Sequence, residues 1–410
     1  MLQSLPHAAS RNLKVARRSE GRTANLDRTA TSLSIPVYEA ELWTSRQRQA
    51  SSIHEISYRA CFKPQLPAYF IERLTQEGDV VYDPFSGRGT TAVEAALRGR
   101  NVVANDVSPL SSILTRPRLE LPSIAEIDAR LRSLKFAVRP RSGLDLSMFF
   151  HPDTEYELLG LREYLCRRHR SGDEDAVDRW IRMVATNRLT GHSPGFFSVY
   201  TLPPNQAVSP EDQVRINARL KQAPEYRDIR ALIRRKSMQL QGRLSAADRW
   251  RLRAAVPGAR LLQNEAAATP EIASGSVQLT VTSPPFLDVV QYARDNCLRC
   301  GYNALVAEAV AARITMSRTL EEWAAAMAAV FRELYRVTRP SGWVAFEVGE
   351  IRRGEVKLEE TVAPLGIHAG FDCSAILINA QRFTKTANIW GIRNNRLGTN
   401  SNRIALFRRP

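Results

Sequence analysis

The residues Thr282-Ser283-Pro284-Pro285-Phe286 carry groups that could grip an amino group on a planar ring. Ser283 supplies a hydroxyl oxygen, the turn supplies backbone carbonyls, and Phe286 supplies a flat face for stacking. Consecutive prolines hold φ at about −65° and donate no hydrogen bond, so the strand-like run Ser276–Val281 must end there. The same residues could equally be a strand terminator. A cofactor site elsewhere in the chain would decide between the two interpretations.

A second stretch has the order of a nucleotide-binding turn. Residues 79–82 predict a short buried strand, and residues 92–98 predict a helix, with a glycine-rich turn between them. Glycines let a ligand approach the backbone, and the amides at the start of a helix point at it. The turn lacks the third glycine of a dinucleotide fingerprint and the Lys-Ser/Thr pair of a phosphate loop. The stretch provides these candidate cofactor-binding residues: Asp83, Phe85, Gly87, Gly89 and Thr90.

Acidic residues follow the next two predicted strands. Asp106 lies just beyond the strand 101–104, where a carboxylate commonly holds a ribose diol. Asn264 and Glu265 follow the strand 259–263, at the place for contact with an adenine ring. Together with the glycine turn, these positions favour a nucleoside-containing cofactor over a merely structural turn.

These residues need an α/β framework to bring them together. Strands and helices alternate on both sides of residues 116–258, which predicts a Rossmann-like, mostly parallel seven-stranded sheet built from residues 37–115 and 259–410. Residues 373–383 and 402–407 predict an antiparallel pair at its end. The segment 116–258 reads as a mainly helical insert forming a separate lobe, and the polar, basic residues 1–36 as a mostly disordered arm.

The charge of the chain indicates a polyanionic partner. Its net charge is +16 over 410 residues, and residues 116–260 hold 27 Lys and Arg against 17 Asp and Glu. A charged helix face can be merely solvated, but an excess of one sign favours nucleic-acid contact. We therefore expect the insert to bind phosphates, with Arg234, Arg235 and Lys236 among the contacts.

The cysteines and the apolar runs exclude other classes of protein. Five scattered cysteines fit a reducing compartment, and the Cys297/Cys300 pair has no partner motif for zinc, so we expect helix residues and no metal. No apolar run reaches membrane-spanning length and no signal-peptide core is present. We expect a soluble, cytoplasmic protein. His192 lies in a Pro/Gly-rich stretch and is expected to be a loop residue.

The two stretches resemble the amino-methyltransferases of DNA. Residues 83–91, Asp-Pro-Phe-Ser-Gly-Arg-Gly-Thr-Thr, resemble the family's cofactor motif, and Thr282–Phe286 resembles its catalytic (Asp/Asn/Ser)-Pro-Pro-(Tyr/Phe) motif. Phe62–Pro67 resembles the segment that lines the methionine pocket, which adds Phe62 to the candidate cofactor residues. The basic insert departs from the family, whose recognition regions more often lie elsewhere.

The resemblance implies an activity. The cofactor would be S-adenosylmethionine, and the methyl group would pass to the exocyclic amine of a base flipped out of double-stranded DNA. Ser283 and Pro284 would accept from the amine, Pro285 would hold the turn rigid, and Phe286 would stack on the base. Ser in the motif favours cytosine N4 over adenine N6, and a restriction endonuclease is a conceivable partner. An RNA amino-methyltransferase and a non-catalytic nucleic-acid-binding module are the alternatives.

Overall fold

The computed structural model describes these residues: 17–26, 33–40, 50–58, 61–136, 145–202, 208–285, 292–314, 317, 319–351, 356–380 and 401–410. Phe286 lies outside them, as do residues 381–400, which connect the last two strands. Among the described residues, no helix is long and apolar enough to cross a bilayer.

Nine strands of the described chain form one mixed sheet in the order β1-β2-β10-β11-β7-β6-β3-β4-β5. The pairs β3/β4, β4/β5, β3/β6, β6/β7 and β2/β10 are parallel, whereas β7/β11, β10/β11 and β1/β2 are antiparallel. The strands, with the short hairpin β8/β9, are β1 (Arg17–Leu26), β2 (Leu33–Ala40), β3 (Val80–Asp83), β4 (Asn101–Asn105), β5 (Arg260–Leu262), β6 (Val277–Thr282), β7 (Thr338–Val348), β8 (Glu350–Ile351), β9 (Val356–Lys357), β10 (Asp372–Ala380) and β11 (Ser401–Arg408).

Helices precede, connect and cover these strands. They are α1 (Gln65–Leu74), α2 (Thr90–Leu97), α3 (Pro109–Glu120), α4 (Ile124–Ser133), α5 (Pro152–Arg170), α6 (Ala176–Arg188), α7 (Pro210–Leu220), α8 (Ile229–Gln241), α9 (Ala246–Ala255), α10 (Tyr292–Tyr302), α11 (Ala307–Ala311), α12 (Leu320–Val337) and α13 (Leu358–His368). Side-chain caps set several of the starts. Ser123 and Glu126 form a capping box on α4, and Ser108 accepts from the Leu110 amide at the start of α3.

The sheet has a hydrophobic core on each face, because successive strand residues point to opposite sides. Val81 of β3 belongs to one core, together with Trp180 of α6 and Ile233 of α8. Tyr82, its neighbour, belongs to the other core with Phe331 of α12. The α/β class and the Rossmann-like sheet are therefore confirmed, and residues 79–106 and 259–286 contribute strands to the same sheet, as predicted.

The structure corrects two expectations about segments that were predicted to lie outside the sheet. The insert is helical, but it is no separate lobe, since its helices share one continuous core with β3, β4 and β6. The first 36 residues are not simply a disordered arm, since β1 and the start of β2 lie within them and extend the seven predicted strands to nine. Strand β2 pairs with β10, more than 300 residues away in sequence.

The basic helix α8 also differs from the expectation of one charged face. Arg234 pairs with Asp128 at 2.9 Å, while Lys236 is only 6% exposed. Residues two apart on a helix point in nearly opposite directions, so these two cations cannot lie on one face. The helix therefore turns one cation outward and buries the other.

Candidate active site

The carboxyl ends of β3, β4, β5, β6 and β7 meet along one edge of the sheet, since these neighbouring strands are parallel. This edge brings together the two stretches that the sequence singles out. The Thr282 hydroxyl at the end of β6 donates to Asp83 Oδ1 at the end of β3 over 2.7 Å. The glycine turn and the Ser283 turn are thus joined by a direct hydrogen bond.

The two glycines of the turn have different roles. Both have positive φ, 51° at Gly87 and 72° at Gly89, a region that glycine adopts without strain. A Cβ at Gly89 would lie 2.1 Å from Thr115 Oγ1, so Gly89 is required for packing against α3. A Cβ at Gly87 would meet only the Tyr58 ring, at 3.4 Å, so Gly87 is the position where a ligand can approach the backbone.

Asp106 fixes the turn against the next strand. Its carboxylate accepts from the Gly87 amide at 2.8 Å through Oδ2 and from the Ser108 amide at 2.9 Å through Oδ1. Burial raises the pKa of Asp106, while these two amides act in the opposite direction. Each carboxylate oxygen keeps a second lone pair, and the side chain is half-buried, so it can accept further hydrogen bonds.

Two arginines hold the turn from the side of the helices. Arg118, completely buried on α3, donates to the carbonyls of Leu114 (2.8 Å) and Arg88. Arg88 donates to the Ile56 carbonyl at 2.7 Å and to Thr90 Oγ1 at 3.1 Å. Burial and, less strongly, the charge of Arg88 lower the pKa of Arg118 to about 9. Thr90 is therefore a buried partner of Arg88 rather than a group open to a ligand.

Asp83 lies beneath the turn and is 1% exposed. Its Oδ1 accepts from the Phe85 amide at 3.2 Å as well as from Thr282. Burial raises its pKa to about 7, against hydrogen bonds from Thr282, Thr91 and the Phe85 amide that lower it. Asp83 therefore links the two turns from inside and does not face the cleft.

The remaining predicted cofactor residues lie around the same edge. The Asn105 side chain joins β4 to the segment after β5, since Nδ2 donates to the Asn264 carbonyl (2.9 Å) and Oδ1 accepts from the Asn264 amide (2.8 Å). Glu265, the next residue, is exposed. Phe85 packs against one core and Phe62 against the other. They are thus on opposite sides of the sheet.

The Ser283 turn has a buried acid beside it. Glu347, next to the end of β7, is 6% exposed and accepts from the Ser283 hydroxyl and, at 2.6 Å, from Asn402 Nδ2. Burial raises the pKa of Glu347 against these two hydrogen bonds. The Pro285 carbonyl accepts from Trp323 Nε1 at 2.9 Å, which holds the turn against α12. Within the described residues, no hydrogen bond engages the carbonyl of the buried Pro284.

A family model described as DNA methylase matches residues 16–111. This part of the chain is therefore similar to the DNA methylase family. The match contains the glycine turn and Asp106, whereas the Ser283 turn lies beyond it.

Two curated methyltransferases share short stretches of sequence with this chain, and one solved structure aligns with most of it at a low TM-score. The Type II methyltransferase M.MjaII of Methanocaldococcus jannaschii is 33% identical over 84 residues, 20% of this chain and 16% of that protein. The orphan methyltransferase M.BamHII of Bacillus amyloliquefaciens is 35% identical over 74 residues, 18% of this chain and 28% of that protein. The rRNA methyltransferase aviRa of Streptomyces viridochromogenes aligns with 87% of this chain and 89% of its own, at 14% identity and a TM-score of 0.32. The aligned parts span less than a third of the two curated relatives.

Sequence reasoning missed several residues that shape this methylase-like edge. Glu347 and Asn402 accompany Ser283, and Arg118 supports the turn from below. Glu347 had a signal, since it follows the apolar run 343–346 at the end of a predicted strand, as Asp106 does. Arg118 had none, because nothing in its sequence neighbours distinguishes it from the other arginines of the insert.

A cavity and a cysteine pair elsewhere in the described chain lack the features of an active site. A cavity of about 560 Å³ between α1, α2 and α9 is lined by Tyr69, Glu94 and Arg98, among others, and by none of the predicted site residues. Glu94 is already paired there with His54 (2.6 Å) and Arg98. Among the described residues no group of three or more His, Cys, Asp and Glu could hold a metal ion, and Cys297 and Cys300 are helix residues of α10.

Proposed function

We propose that this protein is an S-adenosylmethionine-dependent DNA methyltransferase that modifies the exocyclic amine of a base turned out of the duplex, with cytosine N4 as the favoured target. The observation that carries the proposal is the hydrogen bond between Thr282 and Asp83. It brings the family's cofactor turn and the Ser-Pro-Pro turn to one edge of one sheet. A degenerate fold kept for binding alone would need no such pairing.

The residues of the edge fit a nucleoside cofactor. Gly87 leaves the backbone open beside Tyr58, Asp106 keeps acceptor capacity at the end of β4, and Glu265 is exposed after β5. These groups follow one another along three adjacent strands, as the parts of an extended nucleoside would. When bound, S-adenosylmethionine would supply an electrophilic methyl group on a sulfonium. Gly89 and Asp83 would support the cofactor indirectly, through packing and through the link between the turns.

Ser283 and Pro284 would act on the target amine. An amine conjugated with its ring is a poor nucleophile, and hydrogen bonds accepted from its two N–H groups draw the lone pair out of conjugation. Because the Ser283 proton is donated to Glu347, its oxygen lone pairs remain for the amine. The Pro284 carbonyl can accept from the second N–H. Holding the nitrogen in line for attack then contributes most of the rate.

Glu347 would also receive the proton that the methylated nitrogen loses. The nitrogen passes a proton to Ser283 Oγ as the Ser283 hydroxyl proton moves to Glu347. The positive charge on the nitrogen and the negative charge on the Glu347 carboxylate are thereby both neutralised. A carboxylate with a raised pKa suits this transfer, because its affinity for a proton is closer to that of the donor.

The experiment is nucleoside analysis of DNA from cells that express the protein and from cells with an empty vector. We expect N4-methylcytosine in the first sample alone. N6-methyladenine alone would refute the target base and keep the enzyme class. If purified protein labels RNA from tritiated S-adenosylmethionine and leaves DNA unlabelled, the DNA assignment is wrong.

A further inference from the structure

Three polar residues, Ser283, Glu347 and Asn402, lie on one face of the neighbouring strands β6, β7 and β11. Each is two residues away from a strand residue of the core that includes the insert helices: Val281, Ala345 and Ile404. Because side chains alternate along a strand, the three polar residues continue the same face toward the edge of the active site. They therefore form one row across three strands.

Asn402 binds the carboxylate in the middle of this row. Its Nδ2 donates to Glu347 Oε1 at 2.6 Å, although the residue directly opposite Glu347 on β11 is Ile404. The hydrogen bond thus runs diagonally between the strands, a distance that a long side chain can cover. Ser283 donates to the same carboxylate from β6. Glu347 is therefore held between a hydroxyl and an amide, one from each neighbouring strand.

In the described part of the chain no cation pairs with Glu347, which is 6% exposed. Arg403, next to Asn402, points to the other face of β11, where it pairs with Glu359 of α13. Two further acids near these strands have hydrogen bonds or ion pairs of their own: Asp83 of β3 and Glu94 of α2. Burial raises the pKa of Glu347, and only the hydrogen bonds from Ser283 and Asn402 lower it.

A neutral donor suits a carboxylate that has to accept a proton. The hydrogen bond from an amide stabilises the charged form, whereas burial favours the protonated form. A cation in the same place would stabilise the charge more strongly and make the carboxylate a weaker base. Without the amide, burial would favour the protonated acid further, and a protonated Glu347 cannot accept the Ser283 proton.

We propose that Asn402 is a positioning residue for methyl transfer, which orients the Glu347 carboxylate toward Ser283 and keeps it charged. The proposal rests on the proposed function. Asn402 acts through Glu347 in the step that moves the proton of the methylated nitrogen to Ser283 Oγ. In that step the O–H bond of Ser283 breaks and an O–H bond of Glu347 forms, so that one proton enters the row and one reaches Glu347.

The test compares Asn402→Leu and Asn402→Asp in the full chain. Leucine removes the donor at a similar size, and aspartate keeps the shape but places a like charge beside Glu347. Single-turnover rates of methyl transfer are measured across the pH range. The acid limb of the rate profile should move upward by about one pH unit in Asn402→Leu and further in Asn402→Asp. The rate on this limb should thus be about tenfold lower in Asn402→Leu, and near the wild-type value on the alkaline plateau.

Two further proteins serve as controls. In the Glu347→Gln background, Asn402→Leu should leave the pH profile unchanged, because a glutamine does not titrate. In Asn101→Leu the lost Nδ2 hydrogen bond is equally short, 2.6 Å to the Gly78 carbonyl, but it lies at the start of β4 on the opposite edge of the sheet. This variant should keep the wild-type profile. An unmoved acid limb in both Asn402 variants, or an equal loss of rate at every pH, would overturn the positioning role.

Urea unfolding tests the same hydrogen bond without methyl transfer. Because the pKa of Glu347 is raised in the folded protein, wild-type stability should fall as the pH rises from the unfolded to the folded pKa. In Asn402→Leu this fall should continue to a pH about one unit higher, and a wild-type pH dependence would overturn the proposal. A wild-type protein that transfers no methyl group to DNA contradicts the proposed function instead, so the two failures are distinguishable.

Discussion

The substitution Asp83→Asn should make the protein more stable than the wild type at alkaline pH. Asp83 is buried, and its Oδ1 already accepts from Thr282 and the Phe85 amide. The Thr91 hydroxyl has one proton, which it can give to the Val281 carbonyl at 3.1 Å. A protonated Asp83 could then donate to Thr91 itself. A carboxamide provides the same acceptor and the same donor and carries no charge, so it should replace the neutral acid well.

The size of the effect follows from the pKa of Asp83. Its value of about 7 in the folded protein lies above the ordinary 3.8, so the folded state binds the proton more tightly than the unfolded state. Wild-type stability should therefore fall as the pH rises from the unfolded to the folded pKa, by at most about 4 kcal/mol in total. Of this, about 2 kcal/mol falls between about pH 5.5 and about pH 8.5. The variant should lack this loss.

The assay is urea unfolding followed by tryptophan fluorescence at several pH values across this interval. We expect the variant to gain stability relative to the wild type as the pH rises. Asp145→Asn is the control, because this exposed carboxylate has a lowered pKa and is ionised throughout the interval. Parallel pH dependences for the wild type and Asp83→Asn would refute the reasoning that Asp83 takes up a proton in the folded state.

Three further substitutions test the roles assigned to single residues. Gly89→Ala should destabilise the fold by at least about 2 kcal/mol in urea unfolding, since its Cβ would lie 2.1 Å from Thr115 Oγ1; wild-type stability would contradict the packing role. Gly87→Ala should destabilise the fold by about 1 kcal/mol, because a side chain is strained at φ 51°, and should also weaken S-adenosylmethionine binding in calorimetry; unchanged affinity would remove Gly87 from the site. Glu347→Gln should lower kcat of methyl transfer about 10²-fold at unchanged cofactor affinity. The wild-type rate should fall as the pH drops through the raised pKa of Glu347, and a similar fall in the variant would exclude Glu347 as its cause.

The parts of the fold that the sequence predicted are those with local signals. The strand, turn and helix at 80–97 follow from an apolar run, two glycines and a helical segment in direct succession. The antiparallel pair β10/β11 was likewise predicted, from residues 373–383 and 402–407. Strand β1, Arg-Arg-Ser-Glu-Gly-Arg-Thr-Ala-Asn-Leu, lacks apolar alternation, and its pairing partner β2 joins a distant strand, so the local pattern gave no sign of either.

The parts of the site that the sequence did not predict depend on contacts between distant segments. Ser283 meets Glu347 because Thr282 of β6 is in register with Phe346 of β7, and Asn402 arrives from β11. No spacing within either strand specifies that register. In the sequence, Lys236 cannot be distinguished from its basic neighbours. Only the packing of α8 against the rest of the protein buries it. Composition gave the sign of the charge on the insert, and only tertiary packing separated exposed cations from buried ones.

The measurement that tests the central claim most directly is single-turnover methyl transfer to DNA by Ser283→Ala, with S-adenosylmethionine affinity measured by calorimetry on the same preparation. The control is Ser276→Ala, whose hydroxyl donates to the Ala273 carbonyl at 2.7 Å before β6 begins. We expect wild-type cofactor affinity in both variants and a rate about 10²-fold lower in Ser283→Ala alone, because the lost hydrogen bond acts on the amine as it becomes pyramidal. Full activity in Ser283→Ala would contradict the account.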